Sequence, residues 1–233
     1  MDMRFDLLCR KAMDLFFPER CAFCGRLIDF EKHLCEDCKE QYERNYKCNE
    51  IGGIKVYSAC AYSGLNRSVV LGAKTDRDGA KLDFMAHEIS RCLYAFRPKI
   101  KQELDIIIPV PMYRTSKLMR GYNQSEKISR ELSRLLCVPT ANAVRKIRRT
   151  KQQKTLTAAG RAENLSGCFA LSDKIDLSGK RVLVVDDVTT TGATLAEICR
   201  TLKSADCKEI ICAAFAKTGH ESDNNNNGKG KYV

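Results

Sequence analysis

Two adjacent carboxylates and a run of threonines stand between an apolar segment and a helical one. Residues 182–195 read Val-Leu-Val-Val-Asp-Asp-Val-Thr-Thr-Thr-Gly-Ala-Thr-Leu. Loop amides ahead of a helix N-terminus, together with hydroxyl donors, can hold a phosphate, and Gly192 lets the backbone approach it closely. Asp186 and Asp187 accept hydrogen bonds and therefore suit the vicinal hydroxyls of a ribose. The segment thus predicts a binding site for a ribose 5-phosphate.

Two other phosphate chemistries need residues that this segment lacks. Phosphate-transferring hydrolases of the D-x-D type need a second Asp two residues after Asp186, and that position is Val188. A P-loop needs Gly-Lys-Ser/Thr, and no Lys follows Gly192. An acidic strand end followed by a polar helix cap is the remaining structural interpretation.

Four of the thirteen cysteines stand in two Cys-x2-Cys pairs, Cys21/Cys24 and Cys35/Cys38. A two-residue gap lets both thiolates of a pair reach one ion, and two pairs supply the tetrahedral ligand set of structural Zn²⁺. A redox Cys-x2-Cys is the alternative, but two copies outside a strand–helix context argue against it. We therefore expect a closed zinc site that stabilises a segment with little apolar core of its own.

Positive charge is concentrated in one stretch of the chain. Lys+Arg number 40 against 29 Asp+Glu, a formal net charge of +11, and residues 111–160 alone hold twelve basic and two acidic residues. This distribution excludes a uniformly basic coat for non-specific nucleic-acid or membrane binding and favours a local anion site.

The basic stretch begins where an apolar run ends. Residues 104–110 (LDIIIPV) predict a strand covered on both faces, and Pro109-Val-Pro111 leads from it to Arg114 and Arg120. Ligands of open α/β sheets bind at this carboxyl edge. A second cationic run, residues 145–154 (RKIRRTKQQK), is either part of the anion site or a solvated face.

The pattern of apolar residues predicts the elements that position these groups. Strands are expected near residues 54–62, 104–110, 181–185 and 208–215, and helices near 1–20, 79–96, 121–137 and 193–205. Residues 140–165 lack apolar periodicity and predict a long loop or hairpin. Alternating buried strands and helices predict an α/β domain with a parallel sheet.

Residues 182–195 resemble the PRPP-binding motif of type I phosphoribosyltransferases. With the cysteine pairs, Lys74, Arg120-Gly-Tyr-Asn-Gln124 and Arg148, the sequence resembles the ComF family, in which a four-cysteine zinc element precedes a phosphoribosyltransferase domain. The resemblance implies the type I phosphoribosyltransferase fold, a parallel sheet flanked by helices, with a small N-terminal zinc ribbon-like element that has four cysteine ligands.

The resemblance also implies roles for individual residues. Asp186 and Asp187 would bind the ribose hydroxyls, and Val110 to Arg114, with Pro111 between them, would form the pyrophosphate-binding loop. Residues 145–161 would form the loop that closes over the site, and Arg114, Arg120 and Arg148 would neutralise the pyrophosphate. Mg²⁺ would be held mainly by the substrate's own oxygens. The residues implied for the 5-phosphate loop are Thr189, Thr190, Thr191, Gly192, Ala193 and Thr194.

Two features limit the resemblance. Enzymes of the superfamily that act on 6-oxopurines carry an acidic residue at the position of Thr190, and Thr cannot serve as a general base at neutral pH, which argues against purine salvage. No second pair of cysteines accompanies Cys48 or Cys60, so we expect a single rather than a double zinc element.

Two functions follow from the resemblance. One is a ComF-like protein that binds Mg²⁺–PRPP or a ribose 5-phosphate ligand and acts in competence and single-stranded DNA uptake, with DNA-processing proteins as partners. The other is an active phosphoribosyltransferase of nucleotide metabolism that transfers phosphoribosyl to a base or amine with release of pyrophosphate. Either protein could form an oligomer.

The chain is expected to divide into three parts. Residues 1–50 would hold the N-terminal helix and the zinc element, residues 51–220 the phosphoribosyltransferase domain, and residues 221–233 a disordered tail. No apolar run is long enough to span a bilayer and the N-terminus has no signal-peptide pattern, so we expect a cytoplasmic protein without membrane insertion.

Overall fold

The computed structural model of the chain describes residues 19–29, 32–75, 79–150, 160, 164–172 and 174–219. Its strands are β1 (Lys47–Ile51), β2 (Ile54–Ala61), β3 (Ile106–Pro109), β4 (Val144–Lys146), β5 (Phe169–Leu171), β6 (Arg181–Thr189) and β7 (Glu209–Lys217). Its helices include α1 (Glu36–Glu40), α2 (Gly64–Gly72), α3 (Ala80–Phe96), α4 (Ile100–Glu103), α5 (Arg114–Arg120), α6 (Gln124–Leu136) and α7 (Ala193–Lys203).

The main sheet has five strands in the order β1-β2-β7-β6-β3. The four strands from β2 to β3 are parallel, and β1 pairs antiparallel with β2. Strands β4 and β5 form a separate antiparallel pair. Parallel strands need both faces covered, which explains why β3 is buried at every residue and why its sequence is an unbroken apolar run.

Helices cover the sheet on both faces. Helices α3 and α6 pack on one face, where Leu82, Ile89 and Leu132 meet side chains of the central strands. Helix α7 covers the other face with Leu195 and Ile198. The predicted α/β class is therefore confirmed.

Most predicted elements of the domain are present, with altered ends. Strand β6 continues to Thr189, so the acidic pair lies within the strand rather than after it, because Asp186, Val188 and Thr189 keep their pairing with β7. Helix α6 begins at Gln124 instead of Gly121, since the Asn123 side chain caps it by accepting from Ser125 N. Strands β1 and β5 and helices α1, α2, α4 and α5 were not predicted.

Two predicted segments lie largely outside the described residues. These are the N-terminal helix, of which residues 1–18 are not described, and the tail at 221–233. Of the predicted loop or hairpin at 140–165, strand β4 is described and pairs antiparallel with β5, while residues 151–159 and 161–163, which hold most of the loop implied to close over the site, lie outside the described residues. Both the tail and the N-terminal helix stay predictions.

The cysteine-rich segment packs on α3 through aromatic rings. Phe84 of α3 lies 5.3 Å from Phe23 and 5.3 Å from Tyr42, measured between ring centroids, and 5.8 Å from Phe215 of β7. Edge-on contacts of this kind stabilise a core beyond the area they bury. The segment, which has too little apolar content for a core of its own, therefore completes its core with that of the sheet.

A buried carboxylate, Glu88 of α3, ties the same segment to the domain. Its Oε2 accepts from Tyr42 Oη at 3.0 Å, Tyr46 Oη at 3.2 Å and Arg44 Nε at 3.3 Å. Its Oε1 accepts from Arg91 at 2.6 Å, and its side chain is 0% exposed. A buried charge of this kind is tolerated only when it is fully paired, so Tyr42, Arg44 and Tyr46 must stay in place against α3.

Replacing Glu88 by Gln is expected to lower the free energy of unfolding by about 2 kcal/mol. The amide carries no charge, and its NH2 group would face hydrogen-bond donors that the carboxylate now pairs with. Denaturant unfolding followed by circular dichroism measures the change. The control is Glu36→Gln, which sits in a pair with Lys39 whose side chains are 63% and 67% exposed. The control should change stability by less than about 0.5 kcal/mol, and equal losses in the two variants would contradict the role of Glu88.

Candidate functional site

The four predicted metal ligands lie together. The sulfurs of Cys21, Cys24, Cys35 and Cys38 are all within 4.8 Å of one another, and within the described part of the chain this is the one group of metal-ligand type. The first pair turns at Gly25, whose φ of +73° suits glycine and whose N–H donates to Cys21 O at 2.9 Å. The second pair spans the start of α1, which begins at Glu36.

The donor set fits Zn²⁺. Although burial raises it, hydrogen bonds from the backbone N–H groups of Cys24, Cys35 and Phe23 lower the pKa of Cys21 to about 7, whereas burial and hydrogen bonds with the other three thiols raise the pKa of Cys38. A lowered pKa favours the thiolate, which is the form that binds metal. Four converging sulfurs leave no open position, which is the arrangement of a structural rather than a catalytic zinc.

Asp186 is the most buried charged group of the candidate ligand site. It is 9% exposed, and its Oδ1 accepts from Ser125 Oγ at 3.0 Å and from Asp187 N at 2.9 Å. Burial raises its pKa well above the usual range, and the neighbouring Asp187 carboxylate raises it further. Asp187 is less buried, and its Oδ1 accepts from Val188 N at 2.8 Å.

The threonine–glycine loop joins β6 to α7. Gly192 is the N-cap of α7 with a φ of +77°, and Ala193 N donates to Thr191 Oγ1 at 3.4 Å. A Cβ on Gly192 would overlap with Cδ1 of Ile51, the last residue of β1. Glycine is therefore needed here for its backbone conformation, and the end of a flexible side chain from the N-terminal part of the chain lies against it.

Strand β3 delivers the predicted pyrophosphate loop to the acidic pair. Val110 N donates to Val185 O at 2.9 Å, and Val110 O accepts from Asn123 Nδ2 at 2.9 Å. These two bonds fix the start of the loop between β6 and the N-terminus of α6. Helix α5 follows, and its last residue, Arg120, donates to Gln124 Oε1 at 2.6 Å.

The β4–β5 pair forms the opposite wall. Lys146 Nζ donates to Thr150 Oγ1 at 2.9 Å and lies 5.7 Å from the ring centroid of Phe169. Burial lowers the pKa of Lys146, while the Asp186 carboxylate acts in the opposite direction. A cation held in this half-buried position is available to an anion in the cleft.

These elements enclose a large cleft of about 1040 Å³. Of the predicted site residues, the cleft brings together Val110, Pro111, Arg120, Asp186, Asp187 and Thr194. It adds four residues from the amino end of α6 and the loop before it, Tyr122, Asn123, Gln124 and Ser125, and three further cations, Lys74, Lys146 and Arg149.

Several predicted residues lie elsewhere. Arg114 and Arg148 do not line the cleft, and Arg148 donates instead to the carbonyl oxygens of Asn164 at 3.3 Å and Ser166 at 2.9 Å. The loop residues from Thr189 to Ala193 are outside the lining of the cleft. Their roles stay predictions.

Sequence reasoning missed Lys146 and Ser125. Lys146 was one of many cations in the run from 145 to 154, and only its pairing with Phe169 in the β4–β5 register distinguishes it. Ser125 had no distinguishing signal, because its contact with Asp186 joins residues sixty-one positions apart.

Comparison with known proteins agrees with this architecture. The family model described as phosphoribosyl transferase domain matches residues 118–231, and the model described as double zinc ribbon domain matches residues 12–60. Competence protein F of Haemophilus influenzae is 31% identical over 225 residues, which cover 87% of this chain and 98% of that protein. The chain belongs to the ComF family.

Other proteins are similar to this ComF chain over much of its length. DNA utilization protein YhgH of Escherichia coli K12 is 30% identical over 84% of this chain and 88% of its own length. A solved purine phosphoribosyltransferase from Pyrococcus horikoshii is 24% identical, with a TM-score of 0.36 over 55% of this chain and 73% of that one. From the family models and the cysteine cluster, the predicted type I phosphoribosyltransferase fold with an N-terminal zinc ribbon element is confirmed.

The matching zinc model is described as a double ribbon, whereas one four-cysteine cluster lies within the described residues, where we expected a single element. Among the same residues, no helix has the length and apolarity needed to cross a bilayer.

Replacing Cys38 by Ser is expected to reduce bound zinc from about one ion per chain to a small fraction, because three thiolates no longer close the tetrahedron. Elemental analysis of the purified chain measures the zinc. Cys137→Ser is the matched control, since Cys137 is an exposed thiol outside the cluster. A full zinc content in Cys38→Ser would show that Cys38 is not a ligand.

Proposed function

We propose that this ComF-family chain binds Mg²⁺–PRPP, or another ligand that contains a ribose 5-phosphate, in the cleft between β3, β6 and the β4–β5 pair. The observation that carries the proposal is the charge arrangement of that cleft. Asp186 and Asp187 line it together with four cations, which are Lys74, Arg120, Lys146 and Arg149. A ligand that combines a ribose diol with a diphosphate complements this distribution.

The acidic pair is proposed to hold the ribose hydroxyls. Asp187 is the more exposed carboxylate and can accept from a diol directly, while Asp186 is held by Ser125. The adjoining backbone at 190–194, where α7 begins, is proposed to bind the 5-phosphate through its N–H groups. Thr194 is the loop residue that lines the cleft itself.

Mg²⁺ fits the donors on this side of the cleft. Two carboxylates offer the oxygen ligands that this ion prefers, in a place where a diol and a diphosphate can complete the coordination. When bound, the ion would neutralise charge on the diphosphate. The chain's own cations, among them Arg120 and Arg149, are proposed to share that task.

Calorimetric titration with Mg²⁺–PRPP is expected to give saturable heat, and Asp187→Asn should weaken binding at least about tenfold by removing a charged acceptor of the diol. Asp176→Asn is the matched control, because Asp176 accepts from Ser178 N outside the cleft. Absence of heat from the parent chain would overturn the proposal, and unchanged affinity in Asp187→Asn would overturn the role of the acidic pair.

Phosphoribosyl transfer to a base or amine is the alternative use of the same site. The cations that hold a diphosphate in the ground state would also stabilise it as a leaving group. Thr190 offers no general base, so this alternative favours an acceptor that is already nucleophilic. Release of pyrophosphate from Mg²⁺–PRPP over a panel of bases and amines distinguishes transfer from binding alone.

A role in competence and DNA processing is a second proposal, drawn from the names of the relatives. Specific support comes from the cleft and its surroundings, where exposed Met119 and Ile147 and the ring of Tyr113 accompany Arg120 and Arg149. Apolar and aromatic side chains among cations are typical of surfaces that bind single strands. Competence or DNA-processing proteins would then be partners, in the cytoplasm.

Single-stranded DNA is expected to bind this chain with an affinity that falls steeply with salt. Removing Arg148 and Arg149 together should reduce the magnitude of the log–log salt slope by about one to two, because each phosphate contact contributes close to one unit. Fluorescence anisotropy of a labelled oligonucleotide measures it. Lys99→Ala/Lys101→Ala removes the same charge at exposed positions around α4, away from the cleft, and should leave the slope unchanged. A flat salt dependence of the parent would contradict the proposal.

A further inference from the structure

Gln124 carries an unpaired polar atom in the wall of the cleft. Its side chain lines the cleft, the residue is 2% exposed, and its Nε2 has no hydrogen-bond partner among the described residues. Buried amide nitrogens are nearly always paired, and leaving one unpaired costs stability. Such an atom beside a cleft therefore points to a partner that arrives with a ligand.

The orientation of this amide is fixed by chemistry. Oxygen and nitrogen of a Gln side chain are hard to distinguish by shape, but a guanidinium can only donate. Because Arg120 donates to the Gln124 side chain at 2.6 Å, the atom facing Arg120 must be the oxygen. The nitrogen carries two N–H donors, and Arg120 cannot accept a hydrogen bond from either of them. A ligand atom that pairs with this nitrogen must therefore be an acceptor.

The surroundings decide which acceptor. Arg120 uses one of its donors on Gln124 and has others, and Lys146 and Arg149 line the same cleft. The acidic pair suits hydroxyl donors. Its member Asp186 accepts a hydrogen bond from Ser125, the residue that follows Gln124 in the chain. A ligand oxygen that accepts hydrogen bonds from both Gln124 and the positively charged Arg120 is best matched by an anionic oxygen.

We infer that Gln124 is a ligand-contacting residue whose amide nitrogen donates to a diphosphate oxygen, with Arg120 aiming the amide. The inference rests on the proposed function, because it assigns this contact to the ligand of the same site. Nε2 is closed off from solvent in the free chain, so the inferred contact requires the Gln124 amide to turn toward the diphosphate when the ligand binds. A water hidden beside Nε2 is the competing explanation, and it predicts that Gln124→Met binds pyrophosphate as tightly as the parent chain does.

Gln124→Met tests the inference because Met keeps the volume of Gln and removes its polar atoms. Thermal unfolding of the free chain checks that the variant stays folded, and its midpoint also reflects the loss of the oxygen that accepts from Arg120. Calorimetry with Mg²⁺ and inorganic pyrophosphate, and with Mg²⁺–PRPP, should show affinity lowered about tenfold, the worth of one hydrogen bond to a charged group. Affinity for ribose 5-phosphate should stay within about twofold.

Two further variants sharpen the comparison. Gln124→Glu keeps an oxygen that can accept from Arg120 but places a negative charge near the diphosphate. It should therefore lower the affinity for pyrophosphate more than Gln124→Met does, and it should affect the affinity for ribose 5-phosphate less. Gln102→Met makes the same substitution at an exposed position of α4 and should leave all three affinities at the parent values.

The outcomes separate this inference from the proposed function. If the parent binds pyrophosphate and Gln124→Met binds it equally well, the inference is wrong and the proposed function stands. If Gln124→Met loses affinity for ribose 5-phosphate as strongly as for pyrophosphate, the loss is not specific to the diphosphate and the inference is wrong. If the parent binds none of the three probes, both are wrong.

Discussion

The carboxylate of Glu88 is the interaction on which the arrangement of the whole molecule depends. It is buried in α3, and its partners Tyr42, Arg44 and Tyr46 come from the segment between the cysteine cluster and β1. A buried charge that loses these partners is costly, so the zinc element has one favoured position on the domain. The cysteine cluster holds the element together, and Glu88 decides where it sits. That position reaches the ligand site, because strand β1 begins at Lys47, directly after Tyr46, and its last residue, Ile51, lies against Gly192 at the start of α7.

The cleft holds groups that reduce the stability of the free chain. Asp186 is a buried carboxylate beside a second carboxylate, which raises its pKa, and burial of Lys146 lowers the pKa of that amine. Gln124 adds an unpaired amide nitrogen. Groups of this kind reduce stability, and their presence beside one another in a cleft is typical of a ligand site.

The sequence predicted those parts of the molecule that depend on neighbours along the chain. The cysteine pairs, the buried strands β3, β6 and β7 and the helices α3, α6 and α7 each carry their own local pattern of spacing or periodicity. Strand β1 was missed because it is a short edge strand with exposed positions, whose pairing is set by β2. Ser125 and Lys146 were missed because only the folded sheet brings them to Asp186 and the cleft.

Gly192 shows why the two kinds of information are both needed. From the sequence, its place after three threonines indicates a backbone that a phosphate can approach, and its positive φ in the folded chain agrees with the tight turn that such a loop requires. The structure adds that the space of a side chain at this position belongs to Ile51. Gly192 gives the loop its backbone conformation, and its lack of a side chain leaves room for Ile51 of strand β1. Two parts of the fold therefore depend on this one residue. The loop and the N-terminal element must therefore be considered as one unit when either is altered.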